Sequence, residues 1–354
     1  MKKILIICIP NDSSGVPIYT KHLIDTFHSK SELFIITSGN GGIFKEDIAK
    51  QKVKRIEIGQ LENTTSPISL AKYCINYYKV ISSNKFDLIH TQGAMFGVIG
   101  RLVTNKRSKV LHTYHGLPFE AGVPLFRRLC LIILEKIILT ITKHASIVLS
   151  KKNKKTLKRL SSRSQIEVIY NFSRFSPAKC VGKKEFDLIS VAGFRLQKNH
   201  KLLFKIFNSL PTGTKLLCLG PGIDSYEAMQ MIESLVEKPK RQHITMLGPR
   251  KKLDVFFLKS KAFIQTSHYE GLSLAAIEAR AYGLKLFLTD TSGTEELLEG
   301  WDGLVINENE NENEIALRIR KSLNDYFDAS SINDRIPQRF RVKTFNDQMR
   351  KYYE

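Results

Sequence analysis

Residues 266–283 read TSHYEGLSLAAIEARAYG, and two glutamates in that stretch, Glu270 and Glu278, stand with seven residues between them. Upstream, Ala262, Phe263 and Ile264 form an apolar strand pattern that Glu270 ends. Gly271 and Ser273 make a short turn. Ser273 is placed to cap a helix that runs through Leu274, Ala275, Ala276, Ile277 and Ala281 to a stop at Gly283. Glu278 then lies about two turns into that helix. The open backbone N–H groups at the helix start and the positive end of its dipole favour a diphosphate, and the two carboxylates accept hydrogen bonds from hydroxyls on either side. A sugar nucleotide has that layout.

Outward from this stretch, strand and helix patterns alternate in two series. KILIICI, ELFIITS, KRIEIG, FDLIHTQ, KVLHTYH, ASIVLS and IEVIYN form the first, and FDLISVAG, KLLCLG, HITMLG, AFIQTS, LKLFLTD and GLVIN the second. Such alternation predicts an α/β protein with two doubly wound parallel sheets, one in each of two Rossmann-like domains. The segment NFSRFSPAKCVGKKE lacks periodicity and reads as the linker between them. The expected organisation is therefore an N-terminal domain over 1–172, a linker over 173–186, a C-terminal domain over 187–338 and a final helix over 339–354 that crosses back to the first domain. Ligands of open parallel sheets bind beyond the carboxyl ends of the strands, so a central cleft between the domains is the expected site. The acidic NENENENE at 307–314 reads as a surface loop leading into a helix, not as a metal site.

A chain of 354 residues with 42% hydrophobic content is long enough for two such cores. MKKILIICIP reads as a buried first strand and not as a signal peptide. No apolar run is long enough to span a bilayer. The five cysteines (Cys8, Cys74, Cys130, Cys180, Cys218) lack metal spacing and read as reduced core residues of a cytoplasmic protein. The formal charge of +21 is larger than solubility requires, and much of it falls between Arg101 and Arg163, opposed there only by Glu120 and Glu135. A polyanion is the implied partner. No RNA-binding signature accompanies the basic run, so the anionic face of a membrane is favoured over nucleic acid. Beside it, RRLCLIILEKIILTITKH predicts an amphipathic helix. Cys130, Ile133, Leu134, Ile137, Ile138 and Ile141 share one face, and Arg128, Glu135 and Lys143 the other. The apolar face reads either as domain core or as a membrane-contacting surface.

The 266–283 stretch resembles the signature of the retaining glycosyltransferases of family four, which have the GT-B fold. The match continues into LFLTDTSGTEELLEGWDGLVI, where Thr289, Gly293 and Glu296 fall on family positions. By that resemblance Glu270 contacts the donor sugar and Glu278 the ribose, with Gly271, Leu272, Ser273 and Leu274 forming the donor-binding turn. Gly15 matches the family's first glycine loop, and His115, in Tyr114-His115-Gly116, a histidine that points at the donor sugar. Gly220 and Arg250 fall in strand-end loops that line the nucleotide, and Asn171 near the domain hinge. VAGFRLQKNHKLLF resembles the family's phosphate clamp. Lys198 is retained, but the usual arginine position is Gly193, and Arg195 stands two residues later. The resemblance implies a retaining hexosyl transfer from a UDP- or GDP-sugar to a lipid-linked saccharide in bacterial polysaccharide biosynthesis. No cofactor or metal is expected, since no Asp-x-Asp pair is present, and the enzyme would be peripheral at the inner face of the cell membrane. Two alternatives stay open: a catalytically weak partner subunit that binds a sugar nucleotide, and a nucleotide-sugar epimerase on the same fold.

Overall fold

Short runs of branched apolar residues, bounded by polar turns and joined by helices that carry the chain back across the sheet, pair in parallel. The computed structural model realises this twice. It describes residues 1–8, 15–37, 42–58, 67–104, 108–120, 123–142, 144–174, 184–250, 252–325 and 335–354. The chain divides into two units, Met1–Tyr170 with Lys343–Glu354, and Asn171–Val342.

Unit 1 holds strands β1 (Lys3–Ile7), β2 (Glu32–Ile36), β3 (Lys54–Arg55), β4 (Leu88–Gln92), β5 (Lys109–Tyr114), β6 (Ala145–Val148) and β7 (Ile166–Val168) in the order β3-β2-β1-β4-β5-β6-β7, all parallel. Its helices are α1 (Gly15–Phe27), α2 (Lys45–Ala49), α3 (Pro67–Ser83), α4 (Ala94–Val103), α5 (Leu125–Ile141) and α6 (Lys151–Leu160). Unit 2 holds β8 (Phe186–Val191), β9 (Leu216–Leu219), β10 (Ile244–Leu247), β11 (Ser260–Gln265), β12 (Lys285–Thr289) and β13 (Gly303–Ile306), in the order β10-β9-β8-β11-β12-β13. Between them run α7 (His200–Ser209), α8 (Tyr226–Leu235), α9 (Lys238–Arg241), α10 (Asp254–Leu258), α11 (Leu274–Ala281), α12 (Thr294–Leu298) and α13 (Glu312–Asn324), with α14 (Val342–Tyr353) closing the chain. Each sheet reverses its winding direction once, between β1 and β4 and between β8 and β11. These are the doubly wound sheets expected from the sequence.

The packing of unit 1 has two devices. Gly97 and Gly100 let α4 press onto the sheet: a Cβ at Gly97 would lie 2.2 Å from the His112 ring, and one at Gly100 2.3 Å from the Thr91 methyl. A polar seam crosses the buried central strands. The His90 ring lies between the Thr113 hydroxyl at 2.8 Å and the Tyr353 hydroxyl at 2.7 Å, and Thr91 meets His112 at 2.9 Å. Tyr353 belongs to α14, which also places Phe345 against Tyr19. The core of unit 2 forms around Phe204, Phe207, Ile264 and Phe287.

Helix α5 divides the apolar face that the sequence left open between core and surface. Its buried residues are Glu135, Ile138 and Leu139, whereas Cys130, Ile133, Ile137 and Ile141 are exposed. The apolar face read from the sequence is thus split: Ile138 is core and Leu134 half-buried, the other four point outward, and Glu135, expected outside, is inside. The cause is an ion pair. Arg101 of α4, expected in the exposed basic patch, is buried, with Nη1 at 2.5 Å from Glu135 Oε1, Nη2 at 3.1 Å from Glu135 Oε2 and Nε donating to the Gly97 carbonyl at 2.9 Å. Tyr114 completes the group through hydrogen bonds to both partners. A buried guanidinium requires a carboxylate, and this turns α5 so that Glu135 points at the sheet. Cys8 and Cys218 are buried as expected, but Cys74 is half-buried and Cys130 exposed; Cys180 lies outside the described residues, as do Lys106, Arg107 and Lys143.

Candidate functional site

The carboxyl ends of β8 and β11 meet at the point where the unit 2 sheet reverses direction, the position at which open parallel sheets bind ligands. The residues after these two strands are stitched together. Gln197 donates to the Tyr269 carbonyl at 2.9 Å, His268 N donates to the Gln197 carbonyl at 2.9 Å, and Thr266 Oγ1 donates to the carbonyls of Lys198 at 3.2 Å and Asn199 at 3.0 Å. Asn199 holds a left-handed conformation (φ 46°), which asparagine tolerates better than most residues, and caps α7 by accepting from Leu202 N at 3.3 Å. That bend leaves Lys198 facing the β11 turn.

Within this frame Lys198 and Glu270 form an ion pair, and Ser267 Oγ donates to the same Glu270 oxygen at 3.2 Å. Ser273 caps α11, its hydroxyl accepting from Ala276 N at 3.3 Å. Asn171 fixes the turn between the glutamates by donating to the Leu272 carbonyl at 2.6 Å. Gly271 and Leu272 are buried under Gly293, where a Cβ would stand 2.6 Å from the Gly271 oxygen and 2.7 Å from Leu272 Cδ1. Thr289 donates to the Ser267 carbonyl at 2.6 Å from the next strand. Glu278 is buried in α11 and accepts from Arg174 Nε at 2.7 Å. Burial pushes its carboxyl above the usual range, and the Arg174 guanidinium opposes that rise.

Lys198, Glu270, Gly271, Leu272 and Ser273 are thus brought together, with Glu278 farther along α11. Leu274 opens that helix, half-buried. Arg195 is exposed, but its Nε lies 3.8 Å from where a Gly193 Cβ would be, so the side chain turns back over Gly193. Gly220 (φ 147°) ends β9, and a Cβ there would collide with the Ala192 carbonyl oxygen at 2.2 Å. This contact lets the β8 and β9 loops lie against each other. Arg250 is exposed beyond β10, its guanidinium donating to its neighbour Pro249's carbonyl at 3.3 Å.

Two of the expected residues lie in unit 1. Gly15 opens α1; the loop before it, 9–14, lies outside the described residues. His115 follows β5, with Nε2 at 3.0 Å from Gln92 Oε1 and its ring edge-on to Tyr19 at 4.9 Å. Burial pushes its pKa down to about 3, so the imidazole is neutral at physiological pH. A neutral ring that donates from Nε2 to Gln92 keeps Nδ1 as an acceptor for a hydroxyl.

The sequence reading missed three partners. Arg174 stands in the stretch read as linker, 104 positions from Glu278. Ser267 sits inside the motif but has no spacing that marks it. Glu308, in the acidic segment read as a surface loop, is bound to His268 Nδ1 at 2.5 Å, beside Asn199 at 3.5 Å. Helix α13 also begins inside that segment, at Glu312 with Asn311 as cap.

Comparison with known proteins places these residues in a larger group. The family model described as glycosyl transferases group 1 matches residues 172–339, and that described as glycosyltransferase family 4 matches residues 13–172. The UDP-Gal:alpha-D-GlcNAc-diphosphoundecaprenol alpha-1,3-galactosyltransferase of Escherichia coli is 24% identical over 331 residues, covering 87% of this chain and 85% of its own. The amylovoran biosynthesis glycosyltransferase AmsD of Erwinia amylovora is 28% identical over 202 residues, 53% of each chain. Among solved structures, a sucrose-phosphate synthase from Thermosynechococcus elongatus superposes with a TM-score of 0.78 at 19% identity, over 100% of this chain and 98% of its own.

Proposed function

The chain belongs to the glycosyltransferases of family four, has the GT-B fold and acts in bacterial polysaccharide biosynthesis, and from that premise we propose that it transfers a hexosyl group, with retention and without a metal, from a UDP- or GDP-sugar to a lipid-linked saccharide. The observation that carries this reading is the Lys198–Glu270 pair at the direction-reversal point of the unit 2 sheet, three residues before the cap of α11.

Breaking the bond between the sugar's anomeric carbon and the diphosphate leaves negative charge on phosphate oxygens. The Lys198 ammonium and the N-terminus of α11 are fixed positive ends that stabilise such charge as it develops. Arg195, turned back over Gly193, adds a guanidinium near the position where the family carries arginine. With donor bound, Lys198 turns from Glu270 to phosphate, which frees the Glu270 carboxylate to accept from sugar hydroxyls. Glu278 accepts from the ribose in the same way, and the Arg174 guanidinium opposes the burial that favours its neutral form. The acceptor hydroxyl attacks from the face the diphosphate leaves, and a departing phosphate oxygen takes its proton. Neutral His115 accepts from a donor hydroxyl. The E. coli relative's own name, with a UDP-sugar and a diphosphoundecaprenol acceptor, supports the donor and acceptor classes. Peripheral contact with an anionic membrane belongs to the same reading, supported by the +21 charge.

The test is release of nucleoside diphosphate from a panel of UDP-, GDP- and ADP-sugars in EDTA, with lipid-extract acceptor. One donor should be turned over. Glu270→Ala and Lys198→Ala should each lower kcat about a hundredfold or more, and Arg195→Ala about tenfold, in line with losing one preorganised charge contact. Turnover that EDTA abolishes would reject metal independence. A donor that binds but is never cleaved would point to the partner-subunit role.

A further inference from the structure

The outer side of α5 carries Leu125 (71% exposed), Phe126 (81%), Leu129, Ile133 (58%), Ile137 and Ile141 (63%). Spaced at three and four residues, they form one continuous apolar row along the helix. An aromatic and five aliphatic side chains aligned in water are far more than the scattered exposure normal for a globular surface. The neighbouring helices continue the pattern. Helix α3 packs on α4 and α4 on α5, and Ile68 and Ile75 of α3 and Met95 and Leu102 of α4 are exposed as well.

Basic residues border this row. On α5 itself Arg127, Arg128 and Lys136 are exposed. Helix α6 packs beside it and reads KKNKKTLKRL, without an acid, with Lys151, Lys152, Lys155 and Arg159 on its exposed positions. The one acid of α5, Glu135, is turned inward by Arg101 and takes no part in the outer charge.

We propose that this face of unit 1, centred on the outer row of α5 and the basic side of α6, docks in the plane of an anionic lipid surface. Apolar side chains enter the boundary of the acyl region while lysine and arginine meet the lipid phosphates, their long stems spanning the step between the two. Each half of the surface excludes a different competitor. A polyanion such as RNA would satisfy the charge and leave Phe126 and Ile133 in water. A second copy would bury the apolar row at the cost of bringing two basic α6 helices together. Among the described residues no helix is long and apolar enough to cross a membrane, so the contact lies along the surface. The proposal deepens the reading of a lipid-linked acceptor, because it brings the enzyme to the leaflet in which such an acceptor is held.

Sedimentation of the full chain with phosphatidylcholine vesicles, with and without phosphatidylglycerol, tests it. The wild type should partition strongly only onto the anionic vesicles. Phe126→Ser with Ile133→Ser, and separately Lys151→Gln with Lys152→Gln and Lys155→Gln, should each weaken partitioning on the order of a hundredfold. All five positions are exposed, and unchanged thermal unfolding confirms the fold. Absence of wild-type binding, binding that the Phe126 and Ile133 changes leave intact, or a wild-type dimer that those changes convert to monomer would overturn the proposal. Nucleoside diphosphate release from the donor, with the lipid-extract acceptor dispersed in detergent and no vesicles present, is measured on the same proteins. Its failure would strike the transferase reading and leave the vesicle result standing, and the reverse holds equally.

Discussion

Gly220 and Gly193 end neighbouring strands of unit 2 and face opposite demands. Gly220 adopts φ 147°, and an added Cβ would sit 2.2 Å from the Ala192 carbonyl oxygen and 2.5 Å from its carbon. Both the conformation and the contact exclude a side chain. At Gly193 the nearest atoms to an added Cβ are the Pro221 oxygen at 3.5 Å and Pro221 Cδ at 3.7 Å, ordinary contact distances. Gly220→Ala is therefore expected to cost about 2–3 kcal/mol, while Gly193→Ala stays within about 1 kcal/mol of wild type and can stabilise by restricting the unfolded chain. Urea midpoints of the two variants check this; equal losses would show that the Ala192–Gly220 approach relaxes freely. The contrast bears on function. The fold does not forbid a side chain at Gly193, so the family's arginine is missing there for no steric reason, and the Arg195 side chain lies over the same spot. A residue-by-residue match shows the gap at Gly193 and the nearby arginine, but not that one side chain folds back over the other, because that depends on the turn after β8.

The elements divide into those whose pattern has one solution and those that have two. The thirteen strands among the described residues fall within the alternating apolar runs, and most firmly the central ones, because a strand buried on both faces of a parallel sheet is apolar nearly throughout and leaves little choice of register. The Ser273 cap and α11 were equally legible, since the hydroxyl and the helix it starts are adjacent in sequence. Helix α5 had two solutions. Its apolar residues cover more than one stripe, with Ile138 and Leu139 on one side and Ile133 and Ile137 on another, and periodicity alone does not rank them. What ranks them is Arg101, thirty-four positions away, which requires Glu135 on the inner side. Arg174 with Glu278 and Glu308 with His268 escaped for the same reason: polar pairs between distant positions leave no local spacing to read. The energetic weight of the Arg101 pair can be measured. Glu135→Ala leaves a buried guanidinium without its carboxylate and should cost about 3–5 kcal/mol, seen in chemical denaturation. The double change Arg101→Met with Glu135→Leu should recover much of that loss. A single-variant loss below about 1 kcal/mol would mean that water or rotation of α5 compensates, and with it the account of why α5 exposes its apolar row would fail.

Across the whole chain the strongest coupling to pH comes from histidines folded in neutral form. Burial lowers His90 to about 3 and His115 to about 3, drives His112 well below 6.5, and lowers His200 in unit 2 to about 4 with Lys198 adding to the effect. In the unfolded chain each would titrate near 6.5. The unfolded state therefore binds more protons as pH falls below 6.5, and stability present at pH 7 is lost progressively toward pH 3 to 4. His90 alone should contribute a loss of about 2 kcal/mol by pH 5, and His115, which is partly reached by solvent, less. The surface carboxylates with lowered values, among them Asp25, Glu32 and Glu312, begin to lose their contribution only below their ordinary range near 4. Glu278, whose carboxyl is raised, acts in the opposite sense, since its burial cost eases as it takes a proton. The interval from pH 6.5 to 5 thus belongs to the histidines. Replacing His90 by glutamine keeps hydrogen-bonding partners for Thr113 and Tyr353 but removes the titrating group, so urea denaturation at pH 7 and pH 5 should show a smaller difference in the variant than in the wild type. An unchanged difference would show that the buried seam admits a proton without unfolding. The neutral ring of His115 as hydroxyl acceptor would then need a different basis, since it rests on the same exclusion of charge.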